Sequence, residues 1–87
     1  MRIGNARDLG QYLRDERLAA GLSQADLAAR ARVSRRWLSD IEGGKPTAEI
    51  GLVFRVVAAL DMIVELRPAP HQDIDLDKLL DSLGGTP

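Results

Sequence analysis

The chain has 87 residues, no cysteine and a formal net charge of −1. This length predicts one small domain with a marginal core, for which association with a second copy is a common remedy. The lack of cysteine excludes disulfides and thiolate metal sites, and no apolar run approaches the roughly 18 residues of a membrane span. The N-terminus lacks the apolar segment of a secretory signal, so a cytoplasmic protein is expected.

The charge is distributed unevenly along the chain. Residues 1–60 carry ten Lys and Arg against seven Asp and Glu, whereas residues 61–87 carry two against six. The two parts have charges of +3 and −4, which sum to the net charge of −1. A basic body with an acidic tail is typical of a nucleic-acid-binding surface joined to a surface of a second kind.

Amphipathic patterns predict two helices in the first third of the chain. The first covers residues 6–20, with leucines four residues apart on one side, and it ends at Gly21. The second begins after Ser23, which has Asp26 three residues on in a variant of the capping box. Its many alanines predict a close approach by another helix.

The next two predicted helices are separated by a short break. Ser34 is expected to cap the third helix, residues 35–43, because its hydroxyl accepts a hydrogen bond from a free backbone N–H. Thr47 is expected to cap the fourth, residues 48–60, whose valines supply a buried side. The sequence therefore predicts an all-α body.

Residues 62–66 have a different character. Their Ile and Val favour a strand, and Pro68 and Pro70 exclude a helix beyond them. Because a single strand leaves its backbone groups without partners, we expect it to pair antiparallel with the same segment of a second copy. The alternative is that the fourth helix continues to Arg67. The predicted dimer strand consists of Met62, Ile63, Val64, Glu65 and Leu66.

These patterns divide the chain into a domain of residues 1–67 and an acidic, aliphatic tail of residues 68–87. Five large aliphatic side chains lie within Asp73–Leu83. One interpretation of the tail is a frayed terminus. The other is that Asp73–Leu83 docks on a protein, either a partner or the chain's own body, because a free tail has little reason to keep these aliphatics.

Residues 21–45, GLSQADLAARARVSRRWLSDIEGGK, resemble the helix-turn-helix of the Cro/lambda-repressor-like (XRE) family, and the resemblance extends over residues 9–60. It implies a compact lambda-repressor-like fold of four to five helices. It also implies a homodimer that binds a palindromic operator in double-stranded DNA. The matching residues are Gly21, Leu22, Ser23, Gln24, Leu27, Ala28, Val33, Ser34, Ile41, Glu42, Gly44 and Lys45.

A narrower resemblance lies in residues 45–66, KPTAEIGLVFRVVAALDMIVEL, which look like the HipB-like antitoxins. In that group a fourth helix leads into one strand that pairs across the dimer. Its members repress their own operon and bind a HipA-type Ser/Thr kinase toxin. The alternative is a stand-alone dimeric regulator without a toxin, such as a phage-type repressor or a restriction-modification controller. A protein-interaction module without DNA binding is a third hypothesis.

The resemblance assigns the base contacts to the third helix. A recognition helix places its N-terminal residues at base edges, and the fork of an arginine matches O6 and N7 of guanine. Arg35 and Arg36 occupy the first turn, and by the family's pattern they lie toward the bases together with Ser39 and Asp40. Asp40 either accepts a hydrogen bond from a cytosine amine or, as we prefer, orients Arg36 one helical turn away.

The resemblance also indicates residues that contact the DNA backbone. Gln24 begins the second helix, where its amide and the free N–H groups suit a phosphate. Trp37 either reaches the backbone or packs between the second and third helices. Arg17 is expected to form a salt bridge with Glu42, which can turn the arginine toward a phosphate. The full set is Ser23, Gln24, Ser34, Trp37, Lys45 and Arg17.

The residue inventory does not predict an enzyme. The single histidine, His71, lies in a proline-flanked part of the tail, and no His, Asp and Glu residues have the spacing of a metal site. The sequence also lacks a glycine-rich phosphate loop. We therefore expect no catalytic residue, no metal, no cofactor and no membrane partner.

Overall fold

Four helices make up the ordered body of the protein in the computed structural model, which describes residues 2–70. They are α1 (Ala6–Ala19), α2 (Gln24–Ala31), α3 (Arg35–Glu42) and α4 (Ile50–Ala59). No strand forms within residues 2–70, so this part of the chain is all-α, as predicted. None of the four helices has the length and apolarity that crossing a membrane requires.

Local hydrogen bonds set the starts of α1, α2 and α3. Asn5 caps α1 by accepting from the Asp8 N–H at 2.9 Å. At α2, the Ser23 hydroxyl accepts from the Asp26 N–H at 3.0 Å, and the Asp26 carboxylate accepts from the Ser23 N–H at 3.1 Å. This reciprocal pair is the predicted capping box. Ser34 caps α3, also as predicted, by accepting from the N–H three residues on at 3.0 Å.

The turn between α2 and α3 passes through Arg32, whose φ of 57° and ψ of 47° are left-handed. Glycine is the usual residue at this position because it has no Cβ to strain. An arginine there costs about 1–2 kcal/mol, the general penalty for a residue with a side chain in this region. Its N–H still closes the end of α2 by donating to the carbonyls of Ala28 and Ala29.

The start of α4 differs from its prediction. Thr47 does not cap this helix, which is preceded by Glu49 and has no side-chain cap. The prediction was wrong because a local capping residue does not decide where this helix begins. Its place follows from the valines that it buries, Val53, Val56 and Val57, which lie on one side and face the core.

The end of α4 decides between the two interpretations of the segment that follows. The helix ends at Ala59, and Asp61 has a left-handed φ of 57°. It therefore does not continue to Arg67. Residues 62–70 are neither helix nor strand in the single chain. Pairing of Met62–Leu66 with a second copy stays a prediction, because its partner strand would belong to another chain.

The core lies where the helices converge. α2 packs against α3 and α4, and α1 packs against α3. The small side chains of α2 permit this close approach from two sides, as its alanines predicted. The buried residues are Leu13, Leu27, Ala28, Ala31, Leu38, Ile41, Val53, Val56 and Val57.

A glycine allows α1 to approach the end of α3. Gly10 is buried in the middle of α1. A Cβ at this position would overlap the carbonyl oxygen of Ile41 and would lie 3.1 Å from that of Glu42. The sequence did not reveal this contact, since a glycine within a helical pattern is ordinarily only a destabilising residue. The close approach brings α1 to the last turn of α3.

Candidate nucleic-acid interface

An open cleft of about 320 Å³ lies between the start of α2 and the outer face of α3. Its lining contains all four residues predicted to contact bases and one predicted to contact the backbone. The lining residues are Gln24, Arg35, Arg36, Ser39 and Asp40. The fold thus brings together side chains that the sequence places on two separate helices.

The amphipathic pattern of α3 determines which side chains face this cleft. Leu38 and Ile41 are buried in the core, at 0% and 4% exposure. The cleft residues of α3 lie on the opposite side of the helix and are exposed. Since the inner face is held by core packing, the outer face is presented to solvent in a fixed orientation.

The cleft carries two arginines and one carboxylate on α3. The preferred role of Asp40, orienting Arg36 across one turn, is not seen in this structure. Within residues 2–70 the ion pairs are Arg17–Glu42 and Arg67–Glu65, and Asp40 takes part in neither. Both Arg36 and Asp40 are exposed, so water competes with an ion pair between them. Arg36 is therefore available to a ligand.

A buried ion pair lies directly behind the cleft. Arg17 Nε donates to Glu42 Oε2 at 2.8 Å, and Arg17 Nη2 donates to Glu42 Oε1 at 2.9 Å. Arg17 Nη1 donates to the Leu22 carbonyl at 2.9 Å. The two side chains are 8% and 2% exposed. The salt bridge expected from the resemblance is therefore formed, in the bidentate geometry that makes arginine–carboxylate pairs strong.

The position of Arg17 is determined mainly by its partners within the protein. Its hydrogen bond with Glu42 raises the pKa of the guanidinium, against the opposite effect of burial. All three of its nitrogens donate within the protein, and the residue is 6% exposed. In this structure Arg17 holds Glu42 and the Leu22 carbonyl, and its contact with a phosphate stays a prediction.

Gln24 connects the buried ion pair to α2. Its Nε2 donates to Glu42 Oε1 at 3.1 Å, so Glu42 on α3 is bonded both to Arg17 on α1 and to Gln24 on α2. This contact was not predicted, since nothing in the spacing of Gln24 and Glu42 indicates that they meet. Gln24 is half-buried and also lines the cleft. The network therefore fixes a cleft residue relative to all three helices.

The other residues predicted to contact the DNA backbone lie at the ends of α2 and α3 or against the core. Ser23 and Ser34 use their hydroxyls as helix caps. Trp37 is half-buried and packs against the core cluster, which agrees with its packing interpretation. Lys45 is exposed, and its backbone N–H donates to the Asp40 carbonyl at 3.0 Å. The lysine is thus held beside the end of α3.

Comparisons with known proteins identify this arrangement. A family model described as a helix-turn-helix domain matches residues 8–69. The HTH-type transcriptional regulator y4mF of Sinorhizobium fredii is 38% identical over 65 residues, which are 75% of this chain and 86% of the relative. The family-model match includes all but the first two residues of α1, the whole of the other three helices, and the cleft.

Solved structures have the same fold. The restriction-modification controller protein C.AhdI from Aeromonas hydrophila is 31% identical, with a TM-score of 0.63 over 67% of this chain and 88% of that chain. A HipB–O4 20mer complex has a TM-score of 0.75 over 80% of this chain and 99% of that chain, and its 18% identity restricts the likeness to the fold. The chain therefore belongs to the helix-turn-helix domain family, as a DNA-binding transcriptional regulator of the Cro/lambda-repressor-like type.

Proposed function

We propose that the protein is a sequence-specific repressor whose α3 enters the major groove of its operator. The observation that supports this most directly is the cleft in which Arg35 and Arg36 lie beside Gln24. Arginine forks suit guanine edges, and Ser39 and Asp40 add hydrogen-bonding groups that distinguish neighbouring bases. Each named side chain on α3 is exposed and has no competing ion pair within residues 2–70.

Contacts with phosphates orient the helix but do not select the sequence. Gln24, at the first residue of α2, has the free N–H groups of a helix start around it. Lys45 adds a charge at the other end of α3. Ser23 and Ser34 complete the proposed set of backbone contacts, whereas Trp37 packs against the core cluster. Arg17 contributes indirectly, because Glu42 holds the amide of Gln24.

The repressor acts as a homodimer in this proposal. Met62–Leu66 has no strand partner within the described chain, and three of its apolar side chains are half or more exposed: Ile63 at 84%, Val64 at 50% and Leu66 at 92%. Pairing about a two-fold axis gives these residues a partner. It also presents two copies of α3 to half-sites about one helical turn, or roughly 34 Å, apart on a palindromic operator.

The antitoxin role is the more specific part of the proposal. It rests on the resemblance of residues 45–66 to HipB-like antitoxins and agrees with the fold likeness to HipB. In this role the protein represses its own operon in the cytoplasm and neutralises a HipA-type kinase toxin. It has no catalytic function of its own.

A restriction-modification controller is the second candidate. The 31% identity to C.AhdI, over 88% of that protein, favours it, whereas HipB is only 18% identical. Both candidates share the dimer and the DNA contacts. They differ in the protein encoded beside this one, which is a kinase toxin in one case and a restriction or modification enzyme in the other.

Two measurements test these proposals. Gel-shift titration on the DNA upstream of the gene, with a scrambled fragment of equal composition as the control, should give a shift that is selective for the natural fragment. Equal affinity for both fragments would contradict sequence-specific binding, and no shift on either would favour the protein-interaction hypothesis. Co-purification with the product of the neighbouring gene then separates antitoxin from controller, since only the antitoxin inhibits a bound kinase.

A further inference from the structure

A second cleft, of about 410 Å³, lies between the C-terminal end of α2 and the last turns of α4. It combines three arginines with small apolar side chains, and no carboxylate lines it. Its residues are Arg30, Ala31, Arg32, Arg55, Ala58 and Ala59. We call this surface the arginine cleft.

One hydrogen bond and one backbone conformation characterise the arginines of this cleft. Arg55 Nη1 donates to the Arg32 carbonyl at 3.2 Å, which ties the side chain of α4 to the end of α2. Arg32 itself has the left-handed backbone that glycine adopts without strain. The chain thus keeps a cation at a position where a residue without a side chain would be more stable.

The DNA-binding site does not account for this cleft. Gln24 is the first residue of α2, whereas Arg30 and Arg32 lie at its end. A helix of eight residues separates its two ends by about 12 Å. The arginine cleft is also built on α4, which contributes nothing to the lining of the cleft between α2 and α3 that is proposed to face DNA.

An apolar stripe on α4 continues from the arginine cleft. Ile50, Phe54 and Ala58 are four residues apart and therefore lie on one face of the helix. Phe54 is 50% exposed and Ile50 is 65% exposed. The surface as a whole is basic at one end and apolar along α4, so its ligand should be acidic and aliphatic.

One segment of this chain, outside the described residues, has that chemistry. Residues 73–83, DIDLDKLLDSL, contain four Asp, one Lys and five large aliphatic residues. Asp73 follows Ala59, at the edge of the cleft, by 14 residues, and a connection of that length extends to about 46 Å. Since the tether also gives a high effective concentration, the segment can return to the cleft of its own chain.

We propose that Asp73–Leu83 docks on the arginine cleft of the same chain. Its carboxylates bind Arg30, Arg32 and Arg55, and its leucines cover the apolar stripe of α4. This inference goes beyond the proposed repressor function and does not depend on it. A DNA phosphate is the competing ligand for the arginines, but it leaves the apolar stripe uncovered.

Paramagnetic broadening of NMR signals tests the docking in the full chain. The natural sequence has no cysteine, so Thr86→Cys attaches a single nitroxide three residues beyond the segment. The amides of Arg30–Arg32 and Arg55–Ala59 should lose intensity strongly, while those of Arg35–Ser39 keep theirs. No loss at the arginine cleft, or a loss centred on the DNA-facing residues, would overturn the proposal.

Charge reversal gives a matched comparison. Arg55→Glu should abolish the broadening, whereas Arg14→Glu, the same change on an exposed position of α1, should leave it unchanged. Salt of about 1 M, at which the Debye length is about 3 Å, should weaken it as well. Equal broadening in both variants would show that the arginine charge plays no part.

Two controls test whether the arginine cleft is instead occupied by the tail of another copy or by DNA. In a mixture of isotope-labelled natural chain with unlabelled nitroxide-bearing chain, broadening at the arginine cleft would mean that the tail docks on another copy. In titrations of the upstream DNA, Arg55→Ala should bind as tightly as the natural chain. If Arg55→Ala binds the DNA more weakly than the natural chain, and with a smaller dependence on salt, the arginine cleft contacts DNA phosphates instead.

Discussion

The Arg17–Glu42 pair shows how a single interaction can hold three helices together. Removing two charges from water is costly, and the cost is offset here by two short hydrogen bonds and two further partners of the same pair. The pair joins α1 to the end of α3 and holds Gln24 on α2. It therefore stabilises the relative orientation of the two helices that line the cleft of Gln24, Arg35 and Arg36.

Breaking this pair from one side should be strongly destabilising. Glu42→Ala leaves the Arg17 guanidinium buried without its carboxylate, and we expect a loss of about 3–5 kcal/mol in the free energy of unfolding. The double variant Arg17→Met with Glu42→Leu should recover much of that loss, because no charge is left buried. Urea denaturation measures both. A double variant as unstable as Glu42→Ala would show that packing, not charge, dominates at this site.

The exposed arginines of α3 should affect specificity rather than stability. Arg35→Ala and Arg36→Ala should each weaken operator binding by about 1–3 kcal/mol and relax one base position. Gln24→Ala and Lys45→Ala should weaken binding more evenly across sequences, since phosphate contacts carry no sequence information.

Titrations on operator and scrambled DNA separate these effects. Arg14→Ala, on an exposed position of α1, is the matched control and should leave both affinities unchanged. Equal losses on both DNAs for Arg35→Ala would contradict its contact with a base.

The capping box makes part of the stability dependent on pH. Hydrogen bonds from the backbone and the hydroxyl of Ser23 lower the pKa of Asp26. A lowered pKa means that the stabilisation is present above the ordinary Asp pKa of about 3.9 and is lost as pH falls through the folded value.

Asp26→Asn should therefore lower the urea midpoint at pH 7, and the difference from the natural chain should shrink as the pH falls below the ordinary Asp pKa. Asp15→Asn, on the exposed face of α1, controls for the loss of a surface carboxylate. A difference for Asp26→Asn that does not change with pH would exclude this carboxylate as the cause.

At the scale of elements, two glycines in helices should respond in opposite ways to the same change. Gly10→Ala forces α1 away from α3, because the new Cβ overlaps the Ile41 carbonyl. Gly51→Ala meets nothing within 4 Å and should stabilise α4 by about 0.5–1 kcal/mol through helix propensity. Thermal unfolding should show a lower melting temperature for the first and a higher one for the second. A stabilising Gly10→Ala would show that the helix pair can separate at no cost.

At the scale of the whole molecule, dimerisation should depend on Met62–Leu66. Val64→Pro removes a backbone donor from the predicted strand ladder, so sedimentation should show monomers and operator affinity should fall greatly. Ala69→Pro places the same residue beyond the strand and should leave the dimer intact. If Val64→Pro remains dimeric, the interface lies elsewhere, for example on the exposed stripe of α4.

The sequence by itself determined the features that depend on neighbours along the chain. The caps Ser23 and Ser34 each bond a backbone group three residues away, so their spacing alone was enough to predict them. The 3.6-residue period identified Leu38 and Ile41 as core and, with the resemblance, assigned Arg35 and Arg36 to the outer face. These residues were predicted because a helix fixes the direction of each side chain.

Only the tertiary structure decided which side chains from different helices meet. Gln24 and Glu42 are 18 residues apart, and their hydrogen bond depends on the angle between α2 and α3. The need for a glycine at position 10 becomes clear only when α3 is seen to lie against α1. The arginine cleft likewise exists because α4 packs beside the end of α2, as its buried valines require. Local sequence patterns do not predict contacts between helices, because these contacts depend on core packing among segments that are distant in the sequence.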